Sequence, residues 1–213
     1  MSAAVLPGLF IALEGGEGAG KSTQAARLAG WLRAEGRPVV ETREPGGTPG
    51  AEAIRALFVS GSPDRWTPET DALLIAAARA DHVARRIRPA LAEGRIVISD
   101  RFVHSTLAYQ GGGRGLDMAA LRSLHAFATG DLWPHLVLWI DLPPEVGLAR
   151  TANRKRPADR FEAEDARFHA RVRAAFAALA AADPRIRRID GLAPEEAVAA
   201  ACRAEVRPLL ARA

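Results

Sequence analysis

Eight consecutive residues near the N-terminus have the types and the spacing needed to hold phosphate groups. They read Gly-Gly-Glu-Gly-Ala-Gly-Lys-Ser and satisfy the pattern G-x-x-x-x-G-K-[ST]. Glycines let successive backbone N–H groups turn inward around phosphate oxygens, and a following helix adds the positive end of its dipole. We therefore predict a P-loop that binds a nucleoside triphosphate. Its predicted binding residues are Gly15, Gly16, Glu17, Gly18, Ala19, Gly20, Lys21, Ser22 and Thr23.

Two side chains of this motif could take part in phosphoryl transfer. Lys21 would reach the β- and γ-phosphates, and the Ser22 hydroxyl would serve Mg²⁺. Lysine occurs at only one other position, Lys155, and arginine carries the rest of the positive charge. A compact ammonium can enter between phosphate oxygens where a planar guanidinium would not fit. We predict that Lys21 is catalytic, and that Ser22 and Asp100 hold Mg²⁺ through phosphates and water.

Arginines follow the predicted strands at positions where they could neutralise phosphate charge. Arg43 follows the second predicted strand, and Asp100-Arg101 follows the third. Ligands of open α/β sheets bind at the carboxyl ends of the strands. An acceptor phosphate has a second pKa of roughly 6, so it needs charge neutralisation and alignment more than a general base. The alternatives are a surface arginine in a turn at Arg43 and an internal ion pair at Asp100-Arg101; the ion pair could coexist with binding.

The rest of the sequence narrows the class of nucleotide enzyme. Neither lysine follows an asparagine, so the Asn-Lys-x-Asp base reader of a GTP-switch protein is missing. Motor-type ATPases and helicases usually have much longer chains. The net charge of +4 and the pI of about 10.1 allow a basic nucleic-acid-binding ATPase as an alternative. Basic residues are spread among nearly as many acidic ones, however, so we expect no nucleic-acid partner and favour the small-molecule kinases.

Strand-like and helix-like segments alternate along the chain. Strands are predicted at residues 9–13, 38–42, 95–99, 136–141 and 185–190, and helices at 22–33, 51–60, 69–93, 116–128, from 144, from about 168 and from 194. This alternation predicts an α/β fold whose central parallel sheet is covered by helices on both faces. No repeat, linker or composition break marks a boundary, so we expect a single domain over residues 1–213.

The composition of the chain also suggests its cellular setting. Cys202 is the one cysteine, which excludes an intramolecular disulfide and a zinc cluster. The five histidines show no metal-ligand spacing. Residues 1–7 lack a basic signal-peptide start, and no apolar run approaches the ~18 residues of a membrane span. We expect a cytoplasmic protein that has no membrane partner.

Four motifs, in the same order, resemble those of bacterial thymidylate kinases over nearly the whole chain. They lie at residues 10–22, 42–49 (Thr-Arg-Glu-Pro-Gly-Gly-Thr-Pro), 100–110 (Asp-Arg-Phe-x-x-Ser-Thr-x-Ala-Tyr-Gln) and 159–162 (Asp-Arg-Phe-Glu). The resemblance implies a P-loop nucleoside monophosphate kinase that transfers the γ-phosphoryl group of Mg-ATP to dTMP, in dTTP biosynthesis. It also implies a homodimer. A kinase of the same architecture that acts on another monophosphate or on a deoxynucleoside is the nearest alternative.

The resemblance further implies roles for matching positions. Arg43 and Arg101 would contact the dTMP phosphate, and Arg101 would be catalytic. Arg79 would hydrogen-bond the thymine edge, while Glu17 would approach the 3′-hydroxyl or the metal. Tyr109, the only tyrosine, would lie against the deoxyribose and could crowd a 2′-hydroxyl; an ordinary packing tyrosine is the alternative. The implied substrate-binding residues are Glu17, Arg43, Ile75, Arg79, Arg101, Ser105, Thr106, Tyr109, Gln110 and Arg114.

Two features distinguish this chain within the family it resembles. Many members stack Phe or Tyr on thymine at the position of Ile75, so we expect weaker base affinity from that wall. Some members carry an arginine inside the P-loop, whereas this chain has Gly18 and Ala19. Its arginines instead crowd residues 150–161, which we expect to form a mobile lid. As catalytic lid residues we predict Arg154, Arg156 and Arg160, and a solvated basic loop is the alternative.

Overall fold

The computed structural model describes residues 8–152 and 160–210. Within them, a parallel sheet has the strand order β2-β3-β1-β4-β5. Its strands are β1 (Phe10–Glu14), β2 (Val39–Arg43), β3 (Ile96–Asp100), β4 (Leu136–Asp141) and β5 (Ile186–Asp190). All strand pairs are parallel, which confirms the predicted α/β class. The central strands β1 and β4 consist wholly of buried residues, as expected for a sheet covered on both faces.

Helices connect the strands and cover the sheet. They are α1 (Lys21–Ala34), α2 (Pro49–Val59), α3 (Pro68–His82), α4 (Arg88–Ala92), α5 (Val103–Thr106), α6 (Met118–Thr129), α7 (Pro144–Ala152), α8 (Ala166–Ala182) and α9 (Glu195–Leu210). One apolar cluster lies under α3, α6 and α8, and a second lies under α1 and α9. None of the helices in the described ranges is both long and apolar enough to span a membrane.

The register of the sheet brings the predicted site residues to one edge. Asp100 at the end of β3 is paired with Leu13 of β1 on one side and with Arg43 of β2 on the other. The P-loop follows β1 directly, so its residues leave the sheet at the same edge. Parallel strands thus place the first three predicted strand ends side by side, as the sequence analysis required.

Two helical regions differ from their predictions. The helix predicted over residues 69–93 is divided into α3, a π-helical turn (Val83–Ile87) and α4. Pro89 lies in the first turn of α4, and because its ring and its missing N–H disfavour a continuous α-helix, a break before it is expected. Two further elements, α5 and the π-helical segment (Leu107–Gly113) that follows it, were not predicted from the sequence.

Close packing against α8 explains the glycines of the missed segment. A Cβ atom on Gly112 would lie 2.3 Å from the Cβ of Ala175, and one on Gly113 would lie 2.5 Å from the Phe168 ring. Three successive glycines are poor helix formers in isolation. The segment is helical here because tertiary contact with α8 outweighs its local propensity, and a local sequence pattern cannot report that contact.

Candidate active site

A cleft of about 400 Å³ opens at the carboxyl edge of β1, β2 and β3. Of the predicted site residues, those that line it are Glu17, Gly18, Ala19, Gly20, Lys21, Ser22, Thr23, Arg43, Ile75, Arg79, Asp100, Arg101, Ser105, Thr106, Tyr109 and Gln110. The P-loop forms one end, which we call the phosphate end. The side chains of α2, α3 and the segment after α5 form the other, which we call the nucleoside end.

The P-loop connects β1 to α1 in the conformation that its glycines permit. Gly18 has φ +66°, and a Cβ there would lie 2.1 Å from the carbonyl oxygen of Gly147 in α7. A Cβ on Gly147 would in turn lie 2.1 Å from the carbonyl oxygen of Glu17. The backbones of the P-loop and α7 therefore approach too closely for a side chain at either position, which explains why this P-loop carries no arginine at residue 18.

Lys21 and Ser22 begin α1 at the bottom of the phosphate end. Lys21 Nζ donates a hydrogen bond to the carbonyl oxygen of Gly16 at 2.7 Å. Burial and the nearby Arg101 charge lower the pKa of Lys21 to about 8. Ser22 Oγ donates to Asp100 Oδ2. A hydroxyl and a carboxylate side by side are oxygen donors of the kind that Mg²⁺ uses together with substrate phosphates, so these two residues fit the predicted metal role.

Arg101, Glu17 and Tyr109 form a compact polar cluster above the P-loop. Arg101 Nη2 donates to Glu17 Oε1 at 2.7 Å, and the Tyr109 hydroxyl donates to the same oxygen at 2.8 Å. Burial would raise the pKa of Glu17, but the charges of Arg101 and Lys21 outweigh it and lower that pKa to about 2. Glu17 is therefore an anion at neutral pH. An internal ion pair was the alternative for Asp100-Arg101, and Arg101 does form one, with Glu17.

The backbone at Arg101 is held in an uncommon conformation. Its φ of 72° lies in the left-handed region that non-glycine residues rarely adopt. Glu14, fully buried at the end of β1, accepts hydrogen bonds from the backbone N–H groups of Phe102 at 2.8 Å and Ser105 at 3.1 Å. Burial raises the pKa of Glu14 to about 7, against the opposing effect of the Ser105 hydroxyl. Glu14 thus fixes the turn that aims Arg101 into the cleft.

At the nucleoside end, Arg79 is held by two hydrogen bonds. Its Nε donates to Glu44 Oε2 at 2.7 Å and its Nη2 donates to Thr106 Oγ1 at 2.9 Å. His82 Nδ1 lies 3.0 Å from the other Glu44 oxygen. Although Arg79 is only 1% exposed, it still lines the cleft. Glu44, which follows β2 and precedes a cis peptide bond to Pro45, orients this guanidinium.

Three further predicted substrate-binding residues form polar and apolar parts of the cleft wall. Ile75 of α3 contributes an aliphatic surface, and the buried Gln110 also lines the cleft. Gln110 Nε2 has no hydrogen-bond partner among the described residues, so it is a donor that a ligand could use. Arg43 stands at the mouth, where its Nη2 donates to both carboxylate oxygens of Glu52 at 3.1 Å.

Two predicted site arginines lie away from the cleft lining. Arg114 donates to the Pro63 carbonyl oxygen at 2.9 Å and to Glu164. Arg160 is 1% exposed and paired with Asp71 of α3. We predicted Arg160 as a lid arginine, but in the structure its guanidinium is buried and paired with Asp71. The other predicted lid residues, Arg154 and Arg156, lie outside the described residues.

Several functional neighbours were missed from the sequence. Glu14 and Glu44 orient Arg101 and Arg79, and Phe58 and Phe161 line the cleft. Glu14 and Glu44 lie within the motifs at residues 10–22 and 42–49, and that was the available signal, although each is distant in sequence from the arginine it orients. Phe58 carried no such signal, because its position on α2 depends on long-range packing. No cluster of three metal-binding side chains occurs within the described part of the chain.

Comparison with known proteins agrees with this geometry. The model of the thymidylate kinase family matches residues 13–202. A thymidylate kinase of Cereibacter sphaeroides is 54% identical over 212 residues, 97% of each chain. One of Pseudomonas fluorescens is 53% identical over 209 residues, covering 98% of this chain and 99% of the relative. The crystal structure of thymidylate kinase from Ehrlichia chaffeensis superposes with a TM-score of 0.71 at 31% identity, over 86% of this chain and 87% of that one. The chain belongs to the thymidylate kinase family and has its P-loop nucleoside monophosphate kinase fold.

Proposed function

We propose that the cleft aligns Mg-ATP and dTMP for direct transfer of the γ-phosphoryl group. As a member of the thymidylate kinase family, the chain is an enzyme that phosphorylates dTMP with ATP in nucleotide biosynthesis. The observation that carries the proposal is the meeting of Lys21, Asp100, Arg101 and Arg79 in one cleft. Three of these residues suit phosphate or metal, and the fourth suits the edge of a base.

At the phosphate end, the P-loop N–H groups and Lys21 would hold the β- and γ-phosphates. Ser22 and Asp100 would hold Mg²⁺, which would supply positive charge to neutralise the phosphates. Arg101 and Arg43 would bind the dTMP phosphate. The two phosphates repel each other, so these cations contribute by making their close approach possible. Catalytic roles for Arg154 and Arg156 remain part of the proposal and rest on the family resemblance alone.

At the nucleoside end, Arg79 would donate to the thymine edge while Glu44 and Thr106 hold it in place. The free Nε2 of Gln110 offers a second donor. The family resemblance places Tyr109 against the deoxyribose, and its hydroxyl is held by Glu17. A sugar with a 2′-hydroxyl would crowd that ring. These contacts favour dTMP over a ribonucleotide acceptor.

The experiment that tests the acceptor is an ADP-release assay with saturating Mg-ATP. The acceptors are dTMP, dUMP, UMP, CMP, AMP, GMP and thymidine, and kcat/KM is compared among them. We expect dTMP to be the best acceptor. A higher value for another monophosphate, or for the unphosphorylated nucleoside, would support the alternative kinase and contradict the proposal. Saturable binding of DNA at physiological salt would support the nucleic-acid-binding alternative.

We also propose that the active form is a homodimer, as the family resemblance implies. Large apolar side chains are exposed on three helices of which α3 contacts both others: Leu57 on α2 (47%), Leu73 on α3 (59%) and Phe127 on α6 (91%). A contiguous apolar surface built from such side chains would suit association. Light scattering should give twice the chain mass for the wild type and one chain mass for Phe127→Asp. Leu192→Asp, at a side chain that is 57% exposed between β5 and α9, is the matched control. A monomeric wild type would contradict this part.

A further inference from the structure

The nucleoside end needs a flat apolar surface, and α3 does not supply one. A nucleobase gains affinity when a π face is covered by an aromatic ring. Beside Arg79, α3 contributes Ile75 to the lining, and its side chain is aliphatic. Four aromatic residues line the cleft: Phe58, Phe102, Tyr109 and Phe161.

Two of these rings lie against arginines that line the cleft: Tyr109 against Arg101, and Phe102 against Arg79. The Tyr109 hydroxyl is bonded within the Glu17 cluster at the phosphate end. Phe102 is completely buried, and the Arg79 guanidinium carbon lies 5.1 Å from its ring centroid. Phe58 and Phe161 are 5% and 6% exposed within the lining, and the edge of the Tyr109 ring meets Phe161 at 5.8 Å between centroids. The Phe58 and Phe161 centroids lie 5.1 Å apart, with their planes inclined at 35°.

Arg160 lies behind this pair and contacts both rings. Its guanidinium carbon lies 4.5 Å from the Phe161 centroid and 5.2 Å from the Phe58 centroid. Its Nε donates to the Phe58 carbonyl oxygen at 2.6 Å, and its Nη2 donates to Asp71. Because Phe161 is its neighbour in sequence, Arg160 fixes both rings against α2 and α3. The buried guanidinium stacks on rings and donates hydrogen bonds at the same time, and the ammonium of a lysine cannot do both.

We propose that Phe58 and Phe161 form the aromatic wall for the acceptor's base, and that Arg160 is the positioning residue that holds this wall. The inference rests on the proposed function, since it assigns this end of the cleft to a nucleoside. Arg160 does not line the cleft, so it acts through the two rings. The wall supplies, from α2 and residue 161, the stacking surface that Ile75 does not.

Calorimetry with two ligands tests the wall. The ligands are dTMP and 2-deoxyribose 5-phosphate, which keeps the sugar and phosphate and lacks the base. Phe161→Leu and Phe58→Leu should each weaken dTMP binding by roughly tenfold, the range expected for a lost stacking ring. Binding of the base-free ligand should stay within about twofold. Phe10→Leu, the same change at a fully buried ring on β1, is the control for lost stability and should leave the ratio of the two affinities unchanged.

Arg160→Lys tests the positioning role, since it keeps the charge beside Asp71 and removes the planar fork. It should lower the ratio of dTMP to base-free affinity, as the phenylalanine variants do. If that variant does not fold, Asp71→Asn loosens the same guanidinium and should lower the same ratio. Adding Ile75→Phe to Phe161→Leu should restore part of the lost affinity, because a ring is returned to the cleft lining.

The outcomes distinguish a failure of the aromatic wall or of the Arg160 role from a failure of the proposed function. An unchanged ratio in both phenylalanine variants would overturn the aromatic wall. A lower melting temperature with an unchanged ratio in Arg160→Lys would overturn its positioning role. If the wild type binds the base-free ligand as tightly as dTMP, this end of the cleft does not bind a base, which would contradict the proposed function and this inference with it.

Discussion

At the phosphate end of the cleft, the side chains that matter are close in sequence to the backbone turns that aim them. Lys21 and Ser22 begin the helix that the P-loop starts, and Asp100 and Arg101 follow β3 directly. At the nucleoside end, Arg79 depends on Glu44, and Phe58 depends on Arg160 from 102 residues away. Local motifs reveal the side chains of the first end, although Glu14 also fixes the Arg101 turn from β1. At the second end, no local pattern names the partners that orient Arg79 and Phe58. We therefore expect substitutions at the first to affect turnover, and those at the second to affect acceptor affinity.

The largest effect is expected from Lys21→Ala. Without the ammonium, no side chain of the P-loop neutralises the transferring phosphoryl group, and kcat should fall by about 10³-fold. The dTMP KM should change little. A steady-state ADP-release assay measures both. Lys21→Arg should be nearly as inactive, because a guanidinium does not fit the P-loop; activity within tenfold of wild type in the arginine variant would contradict this reading.

Arg101→Lys should have the next largest effect. A single ammonium cannot contact Glu17, Ser105 and a phosphate as the guanidinium can. We expect kcat/KM for dTMP to fall by about 10²-fold. Arg27→Lys, on the exposed face of α1, is the matched control and should match wild type. If the two variants behave alike, Arg101 is a structural residue that serves only its pair with Glu17.

Arg79→Lys should act on affinity more than on turnover. A lysine keeps a positive charge beside Glu44, but its single ammonium cannot also donate to Thr106 as the guanidinium does. We expect the dTMP KM to rise by about tenfold, in line with a lost charge-assisted hydrogen bond, and kcat to change by less than about threefold. A fall in kcat with an unchanged KM would assign Arg79 to the phosphate end and contradict the division of the cleft into two ends.

The smallest effect is a pH dependence confined to the phosphate end. Because burial lowers the pKa of Lys21 to about 8 in the ligand-free chain, the ammonium is progressively neutralised above that pH. ATP must then bind with uptake of a proton, so kcat/KM for ATP should fall by at most roughly tenfold per pH unit above 8. Glu17, whose pKa is lowered to about 2 by Arg101 and Lys21 in spite of burial, stays charged throughout. A profile that stays flat up to pH 9.5 would contradict a lowered lysine pKa.

The parts of the cleft that follow local rules could be predicted from the sequence. The P-loop pattern gave Lys21 and Ser22, and strand-end reasoning gave Arg43 and Asp100, since parallel strands must end at one edge. The predicted strands lie within about one residue of the observed ones, because buried parallel strands form short apolar runs. The roles assigned to these side chains stay predictions until the variants are measured.

The position of Arg160 and the helical segment Leu107–Gly113 could not be predicted from local sequence patterns. Arg160 stands among basic residues and was predicted as a lid arginine, yet its guanidinium is buried against Asp71. Nothing in residues 150–161 names that partner, which lies 89 residues away. The helical segment Leu107–Gly113 was likewise not predicted, because contact with α8 outweighs the low helix propensity of its glycines. In both cases the deciding interaction is long-range, and a single sequence carries no record of it.

The division of the cleft into two ends is tested most directly by calorimetry on Lys21→Ala. The variant would be titrated separately with ATP in the presence of Mg²⁺ and with dTMP, alongside the wild type. We predict that ATP affinity falls by at least about tenfold, as expected on loss of a charged phosphate contact, while dTMP affinity stays within about twofold. An equal loss of affinity for both nucleotides would contradict the assignment of the P-loop to ATP alone.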